Sequence, residues 1–75
     1  MKKYIVLYWY DKKTKSFDTL SDAIKFSDNL QSDYHIMEHE KNQICDKLVL
    51  KSQNGFLDCP NSFHDEVMKA MRLKK

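Results

Sequence analysis

Seven consecutive apolar or aromatic residues at positions 4–10, with the sequence YIVLYWY, constrain the fold of this chain more than any other feature. β-Branched and aromatic side chains are enriched in strands, and the run is far shorter than the about 20 residues that a membrane-spanning helix needs. It is also too short, and too rich in tyrosine, for the core of a signal peptide. We therefore predict a strand over residues 3–10 and a cytoplasmic protein without membrane contact, in which both cysteines stay reduced.

The two alternating faces of this strand decide which of its side chains reach the surface. We predict that Ile5, Leu7 and Trp9, which share one face, pack against the helices. The opposite face is then open and carries the three tyrosines of the run: Tyr4, Tyr8 and Tyr10. A row of exposed tyrosines is typical of a protein interface, since such rings bury much area at small entropic cost.

The next part of the chain indicates a hairpin followed by a helix. Residues 11–15 are polar and predict a loop, after which residues 16–19 form a short strand. The segment TLSDAIKFSDNLQSD, residues 19–33, has apolar residues at helical spacing. Ser21 is the predicted N-cap, because its hydroxyl can accept a hydrogen bond from the first free amides.

The second half of the chain repeats the pattern of strands followed by a helix. Alternating or apolar runs predict strands at residues 34–40 and 44–51, and the Asn54-Gly55 pair predicts a tight hairpin turn into a short strand at 56–57. After Pro60, either Asn61 or Ser62 caps a last helix. One face of that helix is apolar: Phe63, Val67, Ala70 and Met71.

These elements predict an α+β fold in the order β-β-α-β-β(-β)-α. The chain has 75 residues, with one glycine and one proline, which suits a single small domain over residues 1–75 without a flexible linker. We predict one antiparallel sheet with both helices on one face.

Charge is unevenly distributed along the sequence although the net charge is only +2. Residues 1–17 carry five lysines and one aspartate, residues 18–40 carry six acidic residues and one lysine, and residues 41–75 carry seven basic and four acidic residues. Such segregation predicts a surface with two signs of charge, which helps to orient a partner. The acidic segment supplies a second set of predicted partner contacts: Asp22, Asp28 and Asp33, with Glu38 and Glu40 beside them.

The sequence contains no catalytic motif, and we predict a protein that is not an enzyme and has no cofactor. Glycine-rich phosphate loops, nucleophile elbows and the H-E-x-x-H zinc motif are all absent. His35 and His39 lie four apart, but in a strand that spacing is about 13 Å, too far for one ion. We predict no metal site, although a site using Cys45, Cys59 and His64 stays open as an alternative.

Two functions fit these surfaces, namely binding of a protein partner and binding of nucleic acid. We favour the protein partner because of the tyrosine row and the acidic segment. In the alternative, the same tyrosines stack nucleic-acid bases while nearby lysines hold phosphates: Lys2, Lys3, Lys12, Lys13 and Lys15. A homodimer that covers the open face is a third option.

Three segments, MKKYIVLYWY, TLSDAIKFSDN and KLVLKSQNG, resemble in their layout very small proteins encoded by phages and mobile elements of low-GC bacteria. Small anti-CRISPR proteins, with a short helix packed on a few antiparallel strands, are similar. The resemblance implies an inhibitor that sterically blocks a CRISPR–Cas or other defence nucleoprotein complex in the bacterial cytoplasm. It transfers no functional residue to this chain. Many such inhibitors are acidic, and the net charge of +2 departs from a nucleic-acid mimic.

Overall fold

Five antiparallel strands form one sheet in the order β2-β1-β3-β4-β5. The computed structural model describes residues 2–9 and 12–73. The strands and helices, in chain order, are β1 (Lys2–Tyr8), β2 (Lys13–Phe17), α1 (Leu20–Asp28), β3 (Tyr34–Glu40), β4 (Lys47–Gln53), β5 (Phe56–Asp58) and α2 (His64–Leu73), which a 3₁₀ turn (Asn61–Phe63) precedes. The predicted α+β order is confirmed.

Both helices pack on one face of the sheet, around a core to which every strand except β2 and β5 contributes a buried residue. Val6 and Ile36 are opposite each other on β1 and β3 and are fully buried, as are Ile24 of α1 and Val67 of α2. The buried apolar side chains form one cluster: Val6, Leu20, Ala23, Ile24, Tyr34, Ile36, Val49, Leu50, Phe63, Val67 and Ala70. The predicted apolar face of the last helix is therefore confirmed.

The ends of several elements differ from the sequence-based prediction. Helix α1 is capped by Thr19, whose hydroxyl accepts the amide hydrogen of Asp22 at 3.2 Å, and not by Ser21. Leu20 is buried and already lies in the helix, which places the cap one residue before it. Strand β2 begins at Lys13 within the predicted loop, because Lys13 and Lys15 pair with β1.

A β-bulge in β4 changes which of its residues face the helices. Ile36 is opposite Leu50 whereas Met37 is opposite Leu48, so Val49 is the extra residue. Val49 and Leu50 are both buried although they are consecutive in the chain. Bulges of this kind bend a strand and re-aim its side chains. Leu48 consequently lies on the same face as Met37, away from the helices.

Neither helix of the described part of the chain has the length and apolar character that crossing a bilayer requires.

Candidate functional site

Tyr4 and Tyr8 lie on the helix-bearing face of the sheet, so the prediction that they form an open face is wrong. Both pack against the core, and the Tyr8 ring meets the Phe26 ring of α1 edge to face at 5.4 Å between centroids. Phe17 is opposite Tyr4 and also contacts Phe26, which fixes this face as the inner one. Tyr10 lies outside the described residues. That these tyrosines contact a partner remains a prediction. The exposed row of rings that motivated it is not present at Tyr4 and Tyr8.

Burial raises the pKa of two tyrosines above the ordinary value of 10.0. The pKa of Tyr34 is raised by burial and by the nearby charge of Asp28. The pKa of Tyr4 is raised by burial and by Glu38 and Glu66, while Lys2 acts in the opposite direction. The folded protein therefore holds these two protons more tightly than the unfolded chain does.

This difference predicts a loss of stability at alkaline pH. Above about pH 10 the unfolded chain releases tyrosine protons before the folded protein does, so the free energy of unfolding falls as the pH rises from that point towards the raised pKa values. We expect urea unfolding at pH 8, 9, 10 and 11 to show this decline, and the double variant Tyr4→Phe/Tyr34→Phe to reduce it. If the free energy of unfolding fell equally with pH in the double variant, the assignment of this effect to Tyr4 and Tyr34 would be wrong. Cys59, whose thiol pKa is raised by burial and by Asp58, is changed to alanine in both proteins as a common background.

The open face of the sheet is formed by the odd-numbered residues of β1 and β3. The prediction that Ile5 and Leu7 pack against the helices is therefore wrong. Ile5 is opposite Met37, and Met37 is opposite Leu48, so three neighbouring strands bring aliphatic side chains together. Leu7 extends the group along β1. We call these four side chains the open-face patch: Ile5, Leu7, Met37 and Leu48. They are half-buried and do not belong to the core cluster.

Basic and acidic side chains lie close together around the open-face patch. The Lys3 ammonium forms an ion pair with the Asp18 carboxylate, and His39 Nδ1 lies 2.7 Å from Asp46 Oδ1. Lys51 of β4 is opposite Asp58 of β5. An apolar centre within a polar rim is the usual arrangement of a protein interface.

Residues that are segregated by charge along the sequence are therefore neighbours in space. Strand β1 begins with two lysines and runs beside β3, which carries Glu38 and Glu40. Lys2 Nζ lies 3.9 Å from Glu38 Oε2, and Lys3 is paired with Asp18. The predicted surface with two signs of charge does not form at these residues, because antiparallel pairing juxtaposes the basic and acidic segments.

The predicted aspartate contacts do not form a single surface. Asp22 lies in the first turn of α1 and Asp28 at its end, about 9 Å further along the helix axis. Asp33 lies in the connection to β3, where its Oδ1 accepts the amide hydrogen of Asn54 at 3.1 Å. Glu38, from the same acidic segment, is 3% exposed, and its Oε2 has no hydrogen-bond partner among the described residues.

The lysines predicted to hold phosphates do not all lie on one face of the sheet. Lys3 lies on the open face, whereas Lys2 lies beside Glu38 on the helix side. Lys13 and Lys15 belong to the edge strand β2, and Lys12 lies before it. Lys15 Nζ is 5.1 Å from the centroid of the Phe26 ring. The predicted platform of tyrosines flanked by all five lysines is therefore wrong.

A groove of about 650 Å³ opens at the end of the sheet where three connections meet. It is lined by Trp9 and Lys12 from the β1–β2 hairpin, by the α1–β3 connection and by the β4–β5 turn. The described residues that line it are Trp9, Lys12, Gln31, Ser32, Asp33 and Asn54. We call it the Trp9 groove. Trp9 is 52% exposed and has a φ of 53°, a left-handed conformation that is uncommon for a tryptophan. The sequence offered no sign of this conformation, although it did predict the turn at Asn54.

The cysteines and histidines do not lie together in one site. Cys45 is exposed in the β3–β4 connection, and Cys59 follows β5 with its Sγ donating to the Pro60 carbonyl at 3.5 Å. His64 Nδ1 lies 3.7 Å from Asp65 Oδ1 at the start of α2. Among residues 2–9 and 12–73, no three His, Cys, Asp or Glu side chains are grouped so as to hold a metal ion.

No protein-family model matches this chain, and no curated protein or solved structure was found to be similar to it.

Proposed function

We propose that this chain is a non-catalytic protein-binding domain that docks through the open face of its sheet. The observation that carries the proposal is the open-face patch within a rim of paired charges. The three strands of seven residues are each about 24 Å long, and five strands at their usual spacing extend about 19 Å across the sheet, which gives a face of several hundred Å². That is on the order of the ~800 Å² that one partner buries in a standard interface.

The charge of this face favours a protein over nucleic acid. Two of its cations have an acidic neighbour: Lys3 forms an ion pair with Asp18, and Lys51 is opposite Asp58 in the strand register. A nucleic-acid backbone requires cations that are free to replace its counterions. The occupant that fits is a different protein whose contact surface has an apolar centre and little net charge.

The finer proposal is that the partner is a bacterial defence nucleoprotein complex, such as a CRISPR–Cas effector. The chain would block it sterically in the bacterial cytoplasm. The support for this step is the resemblance in layout to small anti-CRISPR proteins. It is tested by mixing the purified chain with purified effector complexes and measuring target-DNA cleavage, where undiminished cleavage by every effector would reject it.

A matched pair of methionine variants tests the binding face. Met37→Glu puts a charge at the centre of the open-face patch, whereas Met68→Glu puts the same charge on α2, where Met68 is 41% exposed. We expect a protein captured from nuclease-treated bacterial lysate by the wild type to be captured equally by Met68→Glu. Its affinity for Met37→Glu should fall at least about tenfold, because the charge would be buried without a partner.

Three outcomes would overturn the proposal. The first is equal capture by both variants, and the second is the absence of any captured protein. The third is a stable dimer of the chain alone, detected by light scattering and dissociated by Met37→Glu, since a second copy would then cover the face. Circular dichroism of both variants checks that each remains folded.

A further inference from the structure

We propose that the Trp9 groove binds a nucleotide of single-stranded nucleic acid, with its base on the Trp9 ring and its phosphate at Lys12 and Lys13. This site lies at the end of the sheet and is separate from the open-face patch. It therefore adds a ligand of a different chemical class to the proposed protein partner.

The backbone at Trp9 is held in an unfavourable conformation that presents the ring. A φ of 53° brings Cβ close to the following carbonyl, a conformation usually taken by glycine or asparagine. Such conformations persist where the surrounding structure imposes them, and they occur most often at functional sites. Here the result is a large aromatic side chain that is 52% exposed beside an open groove.

The opposite wall of the groove is fixed before any ligand arrives. Asp33 Oδ1 accepts the Asn54 amide hydrogen at 3.1 Å, which ties the α1–β3 connection to the β4–β5 turn. Asn54 and Gly55 have φ values of 54° and 84°, as the tight hairpin turn requires. The groove thus has a preformed polar wall facing an aromatic ring.

Cations lie close to the ring. Lys12 lines the groove, and Lys13 Nζ lies over one face of the Trp9 ring at 4.6 Å from its centroid, so a stacked base would use the opposite face. Lys15 follows on the same edge strand. A phosphate attached to a base that stacks on Trp9 would meet these ammonium groups within a few ångströms.

The composition of the groove fits a nucleotide better than an apolar peptide. Among the described residues that line it, five of six are polar or charged, and Trp9 is the one aromatic side chain. Aromatic rings stack bases of any sequence, because every base has a π face. The amides of Gln31 and Asn54 supply both donors and acceptors for the edge of a base.

Fluorescence gives a direct test, because Trp9 is the only tryptophan in the chain. We expect oligodeoxythymidylate or oligouridylate of eight nucleotides to quench its emission in a saturable titration. Binding of the same oligonucleotides, labelled with fluorescein and followed by anisotropy, should weaken roughly ten- to a hundredfold in Trp9→Ala. It should weaken far less in Phe56→Ala, a matched change at a 78% exposed ring outside the groove.

Salt dependence separates the contribution of the phosphate. We expect Lys12→Gln to lower the slope of log affinity against log salt by about 0.7, the value for one phosphate of a single strand. The proposal is overturned if no saturable binding occurs, if Trp9→Ala and Phe56→Ala bind equally, or if a neutral oligosaccharide quenches Trp9 at lower concentration than the oligonucleotides do. None of these outcomes bears on the Met37→Glu experiment, so the two proposals can fail independently.

Discussion

Replacing Ile36 with alanine should lower the free energy of unfolding by about 2–5 kcal/mol. Ile36 is fully buried at the centre of β3, opposite Val6 on one side and Leu50 on the other. These neighbours belong to two different strands and cannot both collapse into the space left by the missing atoms. A domain of this size has a total stability of roughly 4–11 kcal/mol, so the variant would lose a large fraction of it.

Ile44 provides the matched control for this substitution. It is fully exposed, at 101% of its reference area, in the connection between β3 and β4. Ile44→Ala should change the free energy of unfolding by less than about 0.5 kcal/mol. Urea unfolding of the two variants measures the difference. A loss at Ile36 below 1 kcal/mol, or an equal loss at both positions, would contradict the buried position of β3.

The second large effect is a gain in stability from removing the buried carboxylate of Glu38. Only 3% of this residue is exposed, and Oε2 accepts no hydrogen bond from a described residue. The Lys2 ammonium at 3.9 Å is too distant for a hydrogen bond and is half exposed to solvent. The desolvation cost of such a carboxylate is therefore only partly offset, and Glu38→Met should raise the free energy of unfolding by about 1–3 kcal/mol.

Two further variants make this prediction specific. Glu66→Met removes an exposed glutamate from α2 and should change stability by less than about 0.5 kcal/mol. Lys2→Met tests the ion pair itself, and a double-mutant cycle with Glu38→Met gives its coupling energy. If Glu38→Met lowers stability, the Lys2–Glu38 contact outweighs the cost of burial, and the prediction is wrong.

The sequence predicted the order of elements well because most of them carry local signals. Strand β3 has the predicted bounds, since it alternates regularly between loops. The hairpin turn at Asn54-Gly55 and the apolar face of α2 depend on few residues close in sequence. These features can be predicted without knowing which other elements pack against them.

The faces of β1 could not be predicted because both are apolar. In the run YIVLYWY, hydrophobicity does not alternate, so its pattern contains no information about which side meets the helices. That choice depends on contacts of the Phe26 ring with Phe17 and Tyr8, from separate elements. The same holds for Trp9, which the sequence placed in the core and the structure places in a groove.

The burial of Glu38 was not predicted, for a different reason. Acidic residues are rarely buried, so an acidic segment is ordinarily interpreted as a solvated surface. Here the alternation of β3 places Glu38 on the same face as Tyr34 and Ile36, and the sheet and helices then enclose it. The backbone pattern determined its position, whereas the prediction relied on the chemistry of the side chain.

The strand order also has a consequence for how the chain folds. β1 pairs with β2, β3 with β4, and β4 with β5, so three of the pairings join strands that are consecutive in the chain. The β1–β3 pairing alone among those described connects the two groups, across β2 and α1. Closing a longer loop costs more entropy, so we expect this seam to form after the local hairpins. The central seam, with Ile5 and Val6 on one side and Ile36 and Met37 on the other, is thus the contact that joins the two groups of strands.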